Sequence, residues 1–334
     1  MLNNKNILIV IFLFGLLYSE SKIVASDGDI GDRYGAKVAM SEEWYVVSAN
    51  RDDDNGSNSG SVYVYNNNLD EFKIYPSDGV DGDYFGKAVA IDGNWLVVSS
   101  VYDDVNGEKS GSVYVFYFNG FVWIEHTKLL AYDGEAYDRF GYSIDIDDNV
   151  IIVGSVYDDD MGEDSGSAYI YRLNNNEWSF EQKLSSLTGE SYDFFGISLS
   201  VSDGVIAIGS VYDDYMGENS GSVSIFKYNG FFWYELQKIF ANDGSEYAFF
   251  GNSVDLSESR LVIGSFYDDH MGLNNTGSVY IYEKVNDEYF FSNKIVAFDY
   301  SFNDIFGQSV SIYDRWLAVG SLNNDNGINS GSVY

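Results

Sequence analysis

The chain has no cysteine, which excludes disulfides, thiol catalysis and Cys-ligated zinc or iron. It has one proline, Pro76, so its turns fall to 34 glycines together with Asn and Asp. Histidine is almost missing, with only His126 and His270, and none of the patterns GxSxG, HExxH or GxGxxG occurs. Basic residues are scarce too. Eighteen Lys and Arg stand against 52 Asp and Glu, for a net charge of −34. Phosphate backbones and anionic lipid surfaces need clustered Lys and Arg, so nucleic acid and anionic membrane are excluded as expected partners. Such a charge suits high solubility, cations and a salty medium that screens self-repulsion.

After residue 17 no apolar run is long enough to span a bilayer. Before it, residues 7–17 read ILIVIFLFGLL behind Lys5. As a helix this run reaches about 16 Å, short of the roughly 30 Å hydrocarbon core. Ser19 and Ser21 follow, so residues 1–21 are expected to be a secretory signal peptide cleaved after Ser21. The mature chain, residues 22–334, is then a secreted single domain and is expected to be a monomer.

What the sequence does contain is repetition. The stretch DGEAYDRFGYSIDIDDNVIIVGSVYDDDMGEDSGSAYIY, residues 133–171, returns in variant form along the whole chain. Its marker glycine stands at Gly35, Gly86, Gly141, Gly196, Gly251 and Gly307. A period of this size means units that bury their faces against their neighbours. With 29 Tyr, 23 Phe and 6 Trp there is ample bulk for such a core.

Each unit predicts four strands. In one copy they are residues 142–146, 149–155 and 166–171, with a fourth like residues 123–130, all bounded by Gly, Asn and Asp. No helical period is sustained. The expected fold is all-β, a six-bladed β-propeller of four-stranded antiparallel blades. The phrase KIVASDG at Lys22 resembles the phrase that ends the internal units, and the chain stops after GSVY at Tyr334. The N-terminal strand, residues 22–25, is therefore expected to pair beside the last third strand and close the ring. A truncated seven-bladed propeller is the alternative.

The units resemble FG-GAP repeats, the blades of integrin α-subunit propellers. The FG positions are Tyr34-Gly35, Phe85-Gly86, Phe140-Gly141, Phe195-Gly196, Phe250-Gly251 and Phe306-Gly307. The GAP position reads GSV at Gly154 and Gly209, GSF at Gly264 and GSL at Gly320, with weaker copies at Ser99 and Ser48. This resemblance covers nearly all of the mature chain, and it implies a binding or adhesion role at a cell surface. The FG aromatics are expected to be core, filling the space between blades.

Two acidic positions recur. Asp32, Asp83, Asp138, Asp193 and Asp304 precede the FG by three residues, which suits a structural hydrogen bond. The loop DDxxG carries Asp52, Asp53, Asp103, Asp104, Asp158, Asp159, Asp213, Asp214, Asp268 and Asp269. These ten are the candidate metal ligands, with Ca²⁺ as the candidate cofactor, because hard cations take oxygens from acid-rich loops. Plain turn chemistry explains the same residues, since Asp side chains cap backbone N–H groups in hairpins. The spacing also departs from the DxDxDG of integrin blades, the third acid becoming Val105, Tyr215 or His270.

The expected function is a non-catalytic binding or adhesion scaffold that recognises a protein or carbohydrate ligand through rim loops. The alternatives are a propeller lectin with repeated sugar pockets, and a secreted hydrolase or lyase using channel carboxylates. An enzyme of that kind would show a polar cluster that breaks the repeat symmetry.

Overall fold

The computed structural model describes residues 22–323 and 331–334, so the expected signal peptide lies outside the described residues. Every regular element in them is a strand. The six sheets are the blades of a β-propeller, and within each the strands follow in chain order, antiparallel. Blade 3 is representative: Ile144–Asp147, Val150–Ser155, Ser167–Asn174 and Glu177–Leu184. All four expected strands are present, displaced by a residue or two. The inner strands pack on each other from blade to blade, so the first strand of each unit lines the axis.

Apolar residues run almost unbroken along the second strands because both faces of a blade are covered by neighbours: Ile151 and Val153 pack in the core shared with blade 2, Val150 and Ile152 in the core shared with blade 4. Phe140 shows the result. It sits with Val113, Val115 and Leu129 of blade 2 and Ile144, Ile151 and Val153 of blade 3. Its ring meets Tyr169 edge-on at 5.3 Å. Phe85, Phe195, Phe250 and Phe306 are equally buried, so the FG phenylalanines are inter-blade core, while Tyr34 in the first copy is half-buried.

Blades are also locked by backbone. The N–H of Phe140 donates to the carbonyl of Ser110 at 2.9 Å, joining the linker into blade 3 to the long loop of blade 2. That approach requires glycine next to the serine. Gly111 has φ of +83°, and a Cβ on it would fall 2.1 Å from the Phe140 carbonyl oxygen.

The ends of the array differ from the expectation. The last sheet has three strands, Phe306–Tyr313, Trp316–Ser321 and Ser332–Val333. Residues 22–25 form no ladder beside the third of these. Instead Ile23 and Ala25 pack on Tyr63 and Tyr65 of blade 1. The outward faces of the end blades are open. Met40 is 71% exposed where its counterpart Ile91 is 8%, and Trp316 is 71% exposed where Trp44 is 4%.

Candidate ligand-binding site

The long loops between second and third strands, and the linkers between blades, meet at one end of the propeller. The ten candidate metal ligands lie here, and they are already engaged. The first acid of each pair is buried. Each sits beside a lysine ammonium: Asp52 by Lys73 at 2.9 Å, Asp103 by Lys128 at 2.7 Å, Asp158 by Lys183 at 2.8 Å, Asp213 by Lys238 at 2.6 Å and Asp268 by Lys294 at 2.7 Å. Serine hydroxyls add donors, as Ser112 does to Asp103 at 2.6 Å. Asp53, Asp104, Asp159, Asp214 and Asp269 cap backbone N–H groups five or six residues on.

The acid of the preceding DG completes every cluster but that of blade 4, where Thr188 stands in its place. Asp78, Asp133 and Asp243 each face a lysine and a tyrosine hydroxyl. Burial pulls these carboxyls upward, but their lysine and tyrosine partners hold them below the ordinary value. Asp27 does for blade 1 what these do for theirs, through Lys73 at 2.8 Å and Tyr63 at 2.6 Å. Among the described residues no group of three acids or histidines is placed to hold a metal. A calcium ion wants six to eight free oxygens; this donor set fits an ammonium.

The acids three residues before the FG behave as expected. Asp83, Asp138 and Asp193 accept the N–H of Val80, Glu135 and Glu190 at 2.8–2.9 Å. Burial raises their carboxyls to about 6, 7 and 6, the backbone bond opposing it only in part.

The channel holds two acids that break the repeat, Asp145 and Asp255, where other blades have Ala90, Ser200 and Ser311. Asp145 accepts the N–H of Val201 at 2.8 Å and Asp255 that of Ile312 at 2.7 Å. Each ties its inner strand to the next. Burial raises Asp145 to about 7 and pushes Asp255 up as well.

A second departure from symmetry involves the residue before the FG and the residue before the paired acids. Along the blades the first position reads Arg33, Tyr84, Arg139, Phe194, Phe249 and Ile305, and the second Arg51, Tyr102, Tyr157, Tyr212, Tyr267 and Asn323. All six residues before the FG are left-handed, with φ between 53° and 60°, a backbone state that bulky residues rarely adopt. That bend aims each side chain at the neighbouring blade, and the two positions interleave into a belt. Tyr84 meets Tyr102 at 5.1 Å, Tyr157 meets Phe194 at 5.1 Å, Phe194 meets Tyr212 at 5.0 Å and Tyr212 meets Phe249 at 5.2 Å.

Over blades 1 to 3 the belt turns cationic. The Arg139 guanidinium lies 5.4 Å from the Tyr102 ring centre and 4.4 Å from that of Tyr157, and Arg51 lies 5.7 Å from Tyr84. Lys87 reaches over Tyr142 at 5.6 Å. A guanidinium held over a ring in this way can still donate N–H bonds to an oxyanion. Among the described residues no carboxylate comes within ion-pair distance of Arg33, Lys37, Arg51, Lys87 or Arg139. Burial, then Lys37, Arg139 and Arg33, push the Lys87 ammonium below its ordinary value.

A cleft of about 630 Å³ opens over this group, and Arg33, Asn50, Arg51, Lys87 and Arg139 line it. Three polar atoms in its wall are buried without a partner: Asn50 Oδ1, Arg51 Nε and Arg139 Nε. Asn50 itself is 7% exposed.

A local exchange accompanies one of these cations, Lys37. In blades 3 to 5, Ser143, Ser198 and Ser253 donate to the glycine carbonyl of the next FG at 2.6–2.9 Å. The GAP glycine leaves space for that hydroxyl; a Cβ on Gly154 would stand 2.4 Å from Ser143 Oγ. In blades 1 and 2 the hydroxyl has moved across, to Ser48 and Ser99, which accept the N–H of Lys37 and Ala88. Sequence reasoning fixed on the FG and the paired acids and passed over their neighbours. The signal was three arginines at two repeat positions in a chain with so few cations.

The family model described as FG-GAP repeat matches residues 18–65, 69–116, 123–171, 178–226, 233–282 and 289–334. No curated protein sequence matches the chain. Among solved structures, a functionally unknown protein from Desulfotomaculum acetoxidans DSM 771 is similar in fold, with a TM-score of 0.50 and 10% identity. The match covers 80% of this chain and 71% of that one.

Proposed function

Because the chain belongs to the FG-GAP repeat family, we propose that it is a non-catalytic binding scaffold, secreted or held at a cell surface, that recognises a protein or glycan through one end of the propeller. FG-GAP repeats are typical of extracellular proteins, and propellers of this kind often bind proteins, which supports the reading by analogy. The observation that carries it is the unpaired cationic group beneath the cleft, in a molecule whose other lysines are mostly matched with acids. Positions that recur in every blade hold the fold; an asymmetric group with spare donors lining a cleft is what a ligand uses.

The channel acids support a structural role, since each is committed to a backbone N–H of the adjoining blade. A labelled chain screened on glycan and surface-protein arrays tests the scaffold. Partners captured by the chain should be lost with Arg33→Gln/Arg51→Gln/Arg139→Gln. Capture that survives this triple change but fails with Phe121→Ser/Phe231→Ser, exposed aromatics in hairpins at the opposite end, would place recognition elsewhere. Turnover of a glycan, abolished by Asp145→Asn, would replace the scaffold with an enzyme.

A further inference from the structure

Resting on that reading, we propose that the cleft over blades 1 to 3 takes an acidic sugar, with its charged oxygens on Arg51, Lys87 and Arg139 and a neighbouring hydroxyl on Asn50. The wall of this cleft holds unmet bonding capacity. Buried polar atoms are nearly always satisfied, and an orphan calls for a partner absent from the bare chain. Here the orphans are of two kinds in one wall: guanidinium Nε donors on Arg51 and Arg139, and the amide acceptor of Asn50.

An inorganic anion would meet only the donors. A neutral sugar would meet the acceptor and leave the cations bare. A ring carrying a carboxylate or a sulfate beside hydroxyls offers both in a compact unit. The carboxylates in the same wall do not compete for the cations. Asp81 accepts the N–H of Ser57 at 3.0 Å, Asp104 that of Lys109 at 2.7 Å, and Glu108 pairs with the Lys109 ammonium at 3.1 Å.

The guanidinium edges are preorganised. Tyr102 and Tyr157 fix the plane of Arg139, so little freedom is left to lose when an oxyanion arrives. Lys87, crowded by Lys37, Arg139 and Arg33, gains from any anion that enters. The volume of about 630 Å³ is also suited to more than one sugar ring.

Calorimetric titration of the full chain decides the matter. The probes are trigalacturonate, N-acetylglucosamine 6-sulfate, galactotriose, inorganic phosphate and a polyglutamate peptide. One of the two acidic sugars should bind, which distinguishes carboxylate from sulfate as the source of charge, while galactotriose should not. Lys87→Gln and Arg139→Gln should each weaken binding at least tenfold, and Asn50→Leu similarly. Lys227→Gln, a cation paired with Asp287 in another blade, should leave it unchanged. Melting of each variant reports folding, and Lys87→Gln, which breaks no pair, keeps the test valid if Arg139→Gln unfolds.

The inference is overturned if neither acidic sugar binds at millimolar concentration, if polyglutamate binds as tightly, or if phosphate alone binds as well as the sugars. It would fail by itself, with the scaffold intact, if the arrays gave a partner whose capture is indifferent to Lys87→Gln. The scaffold would fail as well if no array ligand bound the loop end.

Discussion

Replacing Lys183 by Met should destabilise the propeller more than the same change at Lys238, because Lys183 faces three carboxylates and Lys238 one. The ammonium lies 2.8 Å from Asp158 and 3.0 Å from Asp133, and it also contacts Asp160. Asp158 is buried, its side chain 4% exposed, so it cannot turn to water once the cation is gone. Tyr169 cannot compensate. Its hydroxyl stands 2.7 Å from Asp158 and 2.8 Å from Asp133, with one proton to give. Removing one partner of a buried pair costs about 3–5 kcal/mol. For a chain of this size that is a fall in melting temperature of roughly 5–8 °C.

Blade 4 supplies the internal comparison. Lys238 faces Asp213 at 2.6 Å but otherwise only Ser186 and Thr188, so Lys238→Met leaves one carboxylate exposed to the loss. Its cost should be smaller. Adding Asp158→Asn to Lys183→Met should recover at least half of the loss, because the orphaned charge is then removed. Calorimetric melting of the four proteins measures all of this. A Lys183→Met melt within a degree of the parent, or no smaller effect at Lys238, would refute the reasoning.

Phe140→Ala should cost about 3–5 kcal/mol in urea unfolding, since it empties a site shared by two blades; a loss under about 1 kcal/mol would mean the blades do not depend on it. Stability should fall between pH 5 and pH 7.5. Asp83, Asp138 and Asp193 titrate near 6, 7 and 6 when folded but near 3.8 when unfolded, so the native state holds extra protons across that window. Asp78, Asp133 and Asp243, held low, act in the other direction and withdraw their stabilisation only as pH falls through about 4. A melting temperature that rises from pH 5 to 7.5 would contradict the assignment of Asp83, Asp138 and Asp193. Melting curves in Ca²⁺ and in chelator should superimpose, because lysine occupies the acid loops; a calcium-bound state would instead gain about 2.7 kcal/mol at a hundredfold excess of ion over its dissociation constant.

Much of the fold was legible because repetition exposes it. The FG phenylalanines, the four strands of each unit and the buried acids before the FG all follow from positions that recur. The lysine of the KIxxxDG phrase and the paired acids were equally visible, one of each per unit, yet their pairing was not. Lys183 and Asp158 stand far apart in sequence and meet only because their strands are neighbours in the sheet. The N-terminal phrase was recognised as a copy, and Asp27 does serve blade 1 as Asp78 serves blade 2. Its strand ladder to the last blade did not follow, because Ile23 and Ala25 pack instead on Tyr63 and Tyr65 of the blade they lead into. The cationic belt was hidden for the opposite reason. It arises where copies differ, at two positions drawn from three blades.

The most direct measurement is a crystal of the chain soaked in selenate or bromide, with the anions located by anomalous scattering. The account predicts a strong site among Arg51, Lys87 and Arg139, within reach of Asn50, that is lost in Lys87→Gln/Arg139→Gln. Anions scattered over other surfaces with that cleft left to water would contradict it.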